Sequence, residues 1–214
     1  AILLANLLTD FSNTALPESR ALLAWMLLNA SRLNSMLDVK GNILTLQEQD
    51  RSIWDSKMIE KGLSHLYESA NGLEITKIHL EAGVSAIHSL SKEYRLTNWN
   101  RIISLYDNYL AYNHCPSIEL EKAIAISKLK GPKEGIEAIN NIEKKDKLDS
   151  DDLLYSALGN LNFQLHKYET AISNFKQAID LSEESFDRSF YSKKIKICQQ
   201  RMDMSKKYGH SLSF

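Results

Sequence analysis

Between Tyr155 and Leu181 the chain runs YSALGNLNFQLHKYETAISNFKQAIDL, and this stretch limits the possible folds more than any other. Apolar and small residues recur in it at three- and four-residue spacing, the period of a helix with one buried face. Tyr155, Leu158 and Gly159 share a face of a first helix, and Tyr168, Ala171, Phe175, Ala178 and Leu181 share a face of a second. Gly159 and Ala171 are the small positions at which two helix backbones can approach closely, while Tyr155 and Phe175 fill the space beside the crossing. A weaker copy lies upstream, with Ala123, Gly135, Ile139 and Ile142 in the places of Gly159, Ala171, Phe175 and Ala178. A helix pair of this kind cannot bury both faces alone, so it requires stacked neighbours.

The rest of the chain follows the same period. Only 8 glycines and 3 prolines occur in 214 residues, and this scarcity of chain-breakers favours long helices with short links. Pro17, Pro116 and Pro132 stand where helix starts are expected. The pattern predicts an all-α array of ten helices, near 1–9, 17–36, 50–69, 74–94, 98–113, 117–130, 132–144, 150–165, 167–181 and 184–205. One irregular stretch, 37–49, contains the turn signal Asp38-Val39-Lys40-Gly41-Asn42 and has room for a short hairpin. The expected organisation is one continuous domain, with a helical N-terminal part over 1–116 and the repeats with a capping helix over 117–214.

Composition excludes several classes of function. The formal net charge is −1, so the mean field attracts neither nucleic acid nor anionic membrane. The longest apolar run, Leu22 to Leu28, is far too short to span a bilayer. Cys115 and Cys198 are isolated thiols, as expected of a reduced, cytoplasmic protein. The six histidines form no i, i+4 pair, and no HExxH, CxxC, GxSxG, phosphate-binding or dinucleotide-binding glycine motif occurs. We therefore expect no catalytic residues, no metal, no cofactor and no membrane contact. A chain that opens on Ala1 within an apolar helix is expected to be part of a longer polypeptide.

Two local groups carry more information than composition does. In the first, Gln49, Asp50 and Arg51 precede Trp54. Asp50 is placed to cap the following helix and Trp54 to insert into the core one turn later. Arg51 can serve either that structure or a polar binding patch. In the second, Trp99, Ile102, Leu105, Tyr106 and Leu110 form a core stripe beside Asp107. Basic residues also gather near the C-terminus, at Arg188, Lys193, Lys194, Lys196, Arg201, Lys206 and Lys207. Phe186, Phe190, Ile195, Cys198 and Met202 supply the buried face that makes those charges a solvated side.

The helix pair at 155–181 resembles a tetratricopeptide unit, with Asn162 where a tyrosine is usual and Glu183 where a closing proline is usual. Such repeats bind peptides on the concave face of their first helices. The resemblance places Leu153, Ser156, Asn160, Phe163 and Gln164 there, and makes Leu153, Asn160 and Phe163 candidate contacts alongside Arg51. Asn160 alone matches the usual carboxylate clamp.

A wider resemblance covers almost the entire chain. LLAWMLLNASR (Leu22 to Arg32), LxxQDRxxWD (Leu46 to Asp55), Ile59 with Gly62, WxxIxxLYDxxL (Trp99 to Leu110), Pro116-Ser117 and LEKAIAIS follow one another with similar order and spacing. The chain resembles the C-terminal extensions of extracytoplasmic-function sigma factors of bacteria. It departs from them at Glu121-Lys122, where an Asn-Arg pair is usual. The resemblance implies a non-enzymatic regulatory domain acting through protein contacts. Its partners would be the sigma regions upstream in the same polypeptide and, through them, core RNA polymerase and promoter DNA, with no specific DNA binding of its own. The alternative is a free-standing tetratricopeptide adaptor for a peptide or protein.

Overall fold

Most helix starts bear a local reason for being there. Pro17, Pro116 and Pro132 occupy first-turn positions, where a missing N–H costs nothing. Asp55 accepts the N–H groups of Lys57 (2.9 Å) and Met58 (3.0 Å), Asn98 accepts that of Arg101 (3.0 Å), and Asp151 that of Leu153 (2.9 Å). The computed structural model describes residues 1–209 except Ser12, Lys40 and Leu73, and the side chains of these except 185, 186 and 206–209. The described residues form an all-α protein. Its helices are α1 (Ile2–Asp10), α2 (Pro17–Ala30), α3 (Ser56–Ser69), α4 (Lys77–Leu90), α5 (Trp99–Leu110), α6 (Pro116–Lys130), α7 (Pro132–Asn140), α8 (Asp152–Gln164), α9 (Tyr168–Leu181) and α10 (Ser185–Gly209).

The chain divides into two compact units, Ala1–Asn113 and His114–Phe214. In the first unit α2 is central, packing on α1, α3 and α4, while α4 also carries α5. Leu23, Ala24 and Leu28 of α2 are fully buried. Gly62 of α3 permits the close approach, since a Cβ there would lie 2.8 Å from Cγ of Leu28. An Arg20–Glu68 ion pair closes the edge of the same helix pair.

In the second unit each helix packs on the next, α6 on α7, α7 on α8, α8 on α9 and α9 on α10. Three-residue links such as 165–167 leave only an antiparallel return. A Cβ on Gly159 would stand 2.7 Å from the Phe175 ring, so the glycine is what lets that fully buried ring lie against α8. Ala171 and Ala178 are likewise without exposure. In the weaker copy the tight point falls between Gly135 and Ser127, where a Cβ would lie 2.4 Å from the serine Cβ. Ile139 is buried in that pair as Phe175 is in the other.

The link from α8 to α9 ends in a double hydrogen bond. Lys167 N–H donates to Asn162 O (2.9 Å) and His166 N–H to Phe163 O (3.0 Å), with His166 left-handed at φ 59°. This closure is usually made around glycine. The atypical Asn162 is buried and donates its amide to Leu158 O at 2.9 Å.

The largest difference from the sequence expectation lies over 31–55. α2 ends at Ala30 rather than near 36, and α3 begins at Ser56 rather than near 50. A short turn of 3-10 helix at Leu33–Ser35, an antiparallel bridge between Leu37 and Ile43, and a second 3-10 turn at Arg51–Ile53 fill the interval. The bridge is the expected hairpin, turned by Gly41 at φ 78° and by Asp38, whose carboxylate accepts Asn42 N–H at 2.8 Å. Lys40 of that turn lies outside the described residues. Asp50 does not cap α3. It accepts Ser52 N–H (2.9 Å) at the head of the 3-10 turn, and Asp55 caps the helix instead. Two aspartates five residues apart offer two caps, and the second wins because Trp54 is extended, at ψ 140°.

Candidate functional site

The site is built from the segment the helical period failed to describe. Trp54, 8% exposed, donates its indole N–H to Ser35 Oγ at 2.8 Å, and Ser35 donates to Arg32 O at 2.8 Å. Gln49, also buried, donates to Leu44 O at 3.2 Å. Asp55 N–H reaches back to Ser31 O at 2.8 Å. Together these bonds hold 49–55 against the end of α2.

Arg51 extends from this segment to α4. Its Nη1 donates to the carbonyls of His88 and Ser91, each at 2.6 Å, and its guanidinium lies 4.7 Å from the centre of the Trp54 ring. A cation suits the last carbonyls of a helix, where the backbone dipole is negative. Nη2 is buried and has no hydrogen-bond partner among the described residues. Arg32 donates to Asn29 Oδ1 at 2.5 Å. Burial pulls the pKa of both guanidiniums below the usual arginine range. Neither arginine pairs with a carboxylate among the described residues.

His88 stands between these cations and an aromatic group. Its ring meets Trp99 edge-on at 5.4 Å and Tyr94 in parallel at 6.4 Å, and Tyr94 meets Trp99 at 5.5 Å. Burial first, and the charges of Arg51 and Arg32 next, bring the His88 pKa down to about 4. The imidazole is therefore neutral at physiological pH. Burial also raises the Tyr94 phenol pKa.

On the solvent side a cleft of about 510 Å³ opens, lined by Gln47, Gln49, Arg51, Lys92 and Tyr94 among others. Its two carboxylates are committed, Asp50 to Ser52 and Glu93 to Arg95. Behind it, Arg32, Trp54 and His88 help line a smaller cavity of about 160 Å³. The arrangement offers fixed donors and positive charge. Within it Ser52 Oγ donates to Asp50 Oδ1 at 2.7 Å.

Sequence reading singled out Gln49, Asp50, Arg51, Trp54 and Trp99, and the structure brings these five into one neighbourhood. Tyr106 is buried on α5 beside Ile102, and Asp107 on the same helix is exposed. The candidate contacts of the second unit have other surroundings. Leu153 is exposed, whereas Asn160 is half-buried and donates to Ser156 O of its own helix at 2.8 Å. Phe163 packs on Tyr168 with ring centres 5.6 Å apart. Arg32, His88, Lys92 and Tyr94 were missed, because His88 meets Arg51 through its main-chain carbonyl and Tyr94 joins through the His88 ring, and such contacts leave no spacing signal. On α10, Cys198 and Tyr191 are buried, Lys194 lies over the Phe190 ring at 5.1 Å, and Lys193, Lys196 and Arg201 are exposed. Arg188 donates to Ser182 O at 2.8 Å. The side chains of Phe186, Lys206 and Lys207 lie outside the described residues.

Comparison with known proteins adds a partial match and a relative. A family of unknown function (DUF6596) matches residues 1–70, which cover α1 to α3 and the whole 31–55 segment. The uncharacterized protein R00370 of Rhizobium meliloti (strain 1021) is 26% identical over 174 residues, which make up 81% of this chain. The match spans 41% of that relative's length. No solved structure matches. Among the described residues, no helix is long and apolar enough to cross a membrane.

Proposed function

We propose that this chain is a regulatory domain of an extracytoplasmic-function sigma factor, controlling transcription initiation through protein contacts rather than catalysis. The observation that carries this reading is the meeting of three separate blocks of the sequence resemblance. Asn29, Ser31 and Arg32 come from the first block, Gln49 to Asp55 from the second, and Trp99 from the third. All converge around Arg51 and His88. A resemblance confined to one helix would be explained by shared helical periodicity, whereas one whose blocks assemble a single polar cluster points to a common structure.

The relative supports the reading from another side. More than half of its length lies outside the match, as a regulatory domain within a longer polypeptide requires. In this reading the partner is the sigma portion of the same polypeptide, and through it core RNA polymerase and promoter DNA, in the cytoplasm.

The test is reporter transcription from the sigma factor with and without residues 1–214, at matched protein abundance. The proposal expects basal or induced output to change severalfold on removal. Unchanged basal and induced output would reject it and favour a free-standing adaptor. Lys92→Glu is the suitable surface substitution because Lys92 is exposed. Arg51→Glu is unsuitable. It would put a carboxylate against the α4 carbonyls and confound folding with contact.

A further inference from the structure

The cleft in the first unit has an imbalance that internal structure does not resolve. Of the charged groups lining it, Asp50 is tied to Ser52 while Glu93 and Arg95 pair with each other. Arg51 and Lys92 remain, with no carboxylate partner among the described residues. The helix end that receives Arg51 Nη1 offers only about half a unit of negative charge. Nη2 keeps two N–H groups with no acceptor among the described residues although it is buried, and a buried donor is costly until an acceptor reaches it.

We propose that this cleft is an oxyanion site that takes the carboxylate of an acidic segment in a protein partner. Arg51, which lines the cleft, would bring its charge and its unpaired Nη2 to the carboxylate through a small shift of the whole guanidinium. Lys92 adds a second positive charge at the rim. Tyr94 and the amide of Gln47 provide a surface for the neighbouring peptide atoms. The size of the cleft favours a peptide, since about 510 Å³ is far more than a free phosphate fills. The proposal deepens the protein-contact reading by naming the chemistry of the contact, and it rests on that reading for the identity of the partner.

The test is a nuclear magnetic resonance titration of the chain with hexaglutamate and, separately, with inorganic phosphate, both at constant ionic strength to hold screening fixed. The expected result is saturable movement of the Arg51 side-chain N–H and of the Lys92 to Arg95 amides. Hexaglutamate should bind about tenfold more tightly than phosphate, since it offers several carboxylates to one site. Lys92→Gln should weaken binding about threefold, as expected for one exposed charge. Arg51→Lys should weaken it at least about tenfold, because an ammonium cannot reproduce the guanidinium fork. The spectrum of each free variant shows whether it is folded, and Lys92→Gln decides the matter if Arg51→Lys is not.

Tighter binding of phosphate than of hexaglutamate would replace the peptide with a small-anion ligand. No saturable shift with either probe, or equal affinity in wild type and Lys92→Gln, would overturn the site. Because no sigma factor takes part, failure here with an intact reporter response would reject the cleft and leave the regulatory reading standing.

Discussion

In the second unit, Gly159 lets the Phe175 ring lie against α8, and the residues that make the crossing are sixteen positions apart in sequence. In the first unit, Trp54 is held by Ser35, nineteen positions away, and Arg51 by the carbonyls of His88 and Ser91, thirty-seven and forty positions away. One unit is joined by apolar faces repeated along consecutive helices. The other is closed by a polar network that pins an irregular segment between helices. The difference is one of tolerance. An apolar crossing fails when volume changes, whereas a buried polar cluster fails when a proton or a donor changes.

Removing volume should give the largest effect. Phe175→Ala would leave a cavity at a fully buried position, and we expect a loss of about 3–5 kcal/mol in the second unit. Hydrogen exchange of the α8 to α10 amides measures it. All three tryptophans, Trp25, Trp54 and Trp99, lie in the first unit and report on that unit alone. A tryptophan-fluorescence transition shifted as far as the α8 to α10 amides would break the distinction between the units.

Acid should single out the first unit. The unfolded His88 side chain takes up a proton near pH 6.5 and the folded one only near 4, so between these values the unfolded state binds more protons. Stability is therefore lost as pH falls through that window, by about 3 kcal/mol once the proton is bound in both states. His65, in the same unit, is shifted in the same direction by burial. Denaturant midpoints followed by tryptophan fluorescence at pH 7 and pH 4.5 test this. A midpoint independent of pH would contradict the burial of His88 beside Arg51 and Arg32.

Adding volume should cost less. Ala171 has no exposure, and Ala171→Leu is expected to destabilise the second unit by about 1–3 kcal/mol through overpacking. An unchanged denaturation midpoint would remove the assignment of the helix crossing.

These contrasts explain what the sequence made legible. Pro17, Pro116 and Pro132, the period of 155–181 and the small pair Gly159 and Ala171 are local signals, and helix number and the α6–α7 and α8–α9 pairs followed from them. The 31–55 segment was misread as helix at both ends, because Ser31 to Met36 and Asp50 to Asp55 are acceptable to a helix until their distant partners are known. Arg51 and Trp54 were noticed as residue types. The site they form was not, since its acceptors are backbone carbonyls and any residue supplies those.

The smallest expected effect lies in the α8–α9 link. His166 occupies a left-handed position that glycine fills without steric cost. His166→Gly is expected to stabilise the second unit by about 0.5 kcal/mol, even with loss of the exposed 2.8 Å contact to the Tyr168 hydroxyl. Thermal denaturation of the two proteins checks the sign.

The most direct test of the regulatory reading is to mix residues 1–214 with the separated sigma portion of the polypeptide and map the contact by chemical-shift changes. Tethering supplies millimolar effective concentration, so a working regulatory contact requires only micromolar to millimolar affinity between the pieces. The account predicts saturable changes centred on 47–52 and 92–95 that are weakened by Lys92→Glu. No change at millimolar concentration would contradict it, whereas changes confined to the Leu153 and Phe163 face of α8 would move the contact away from the cleft.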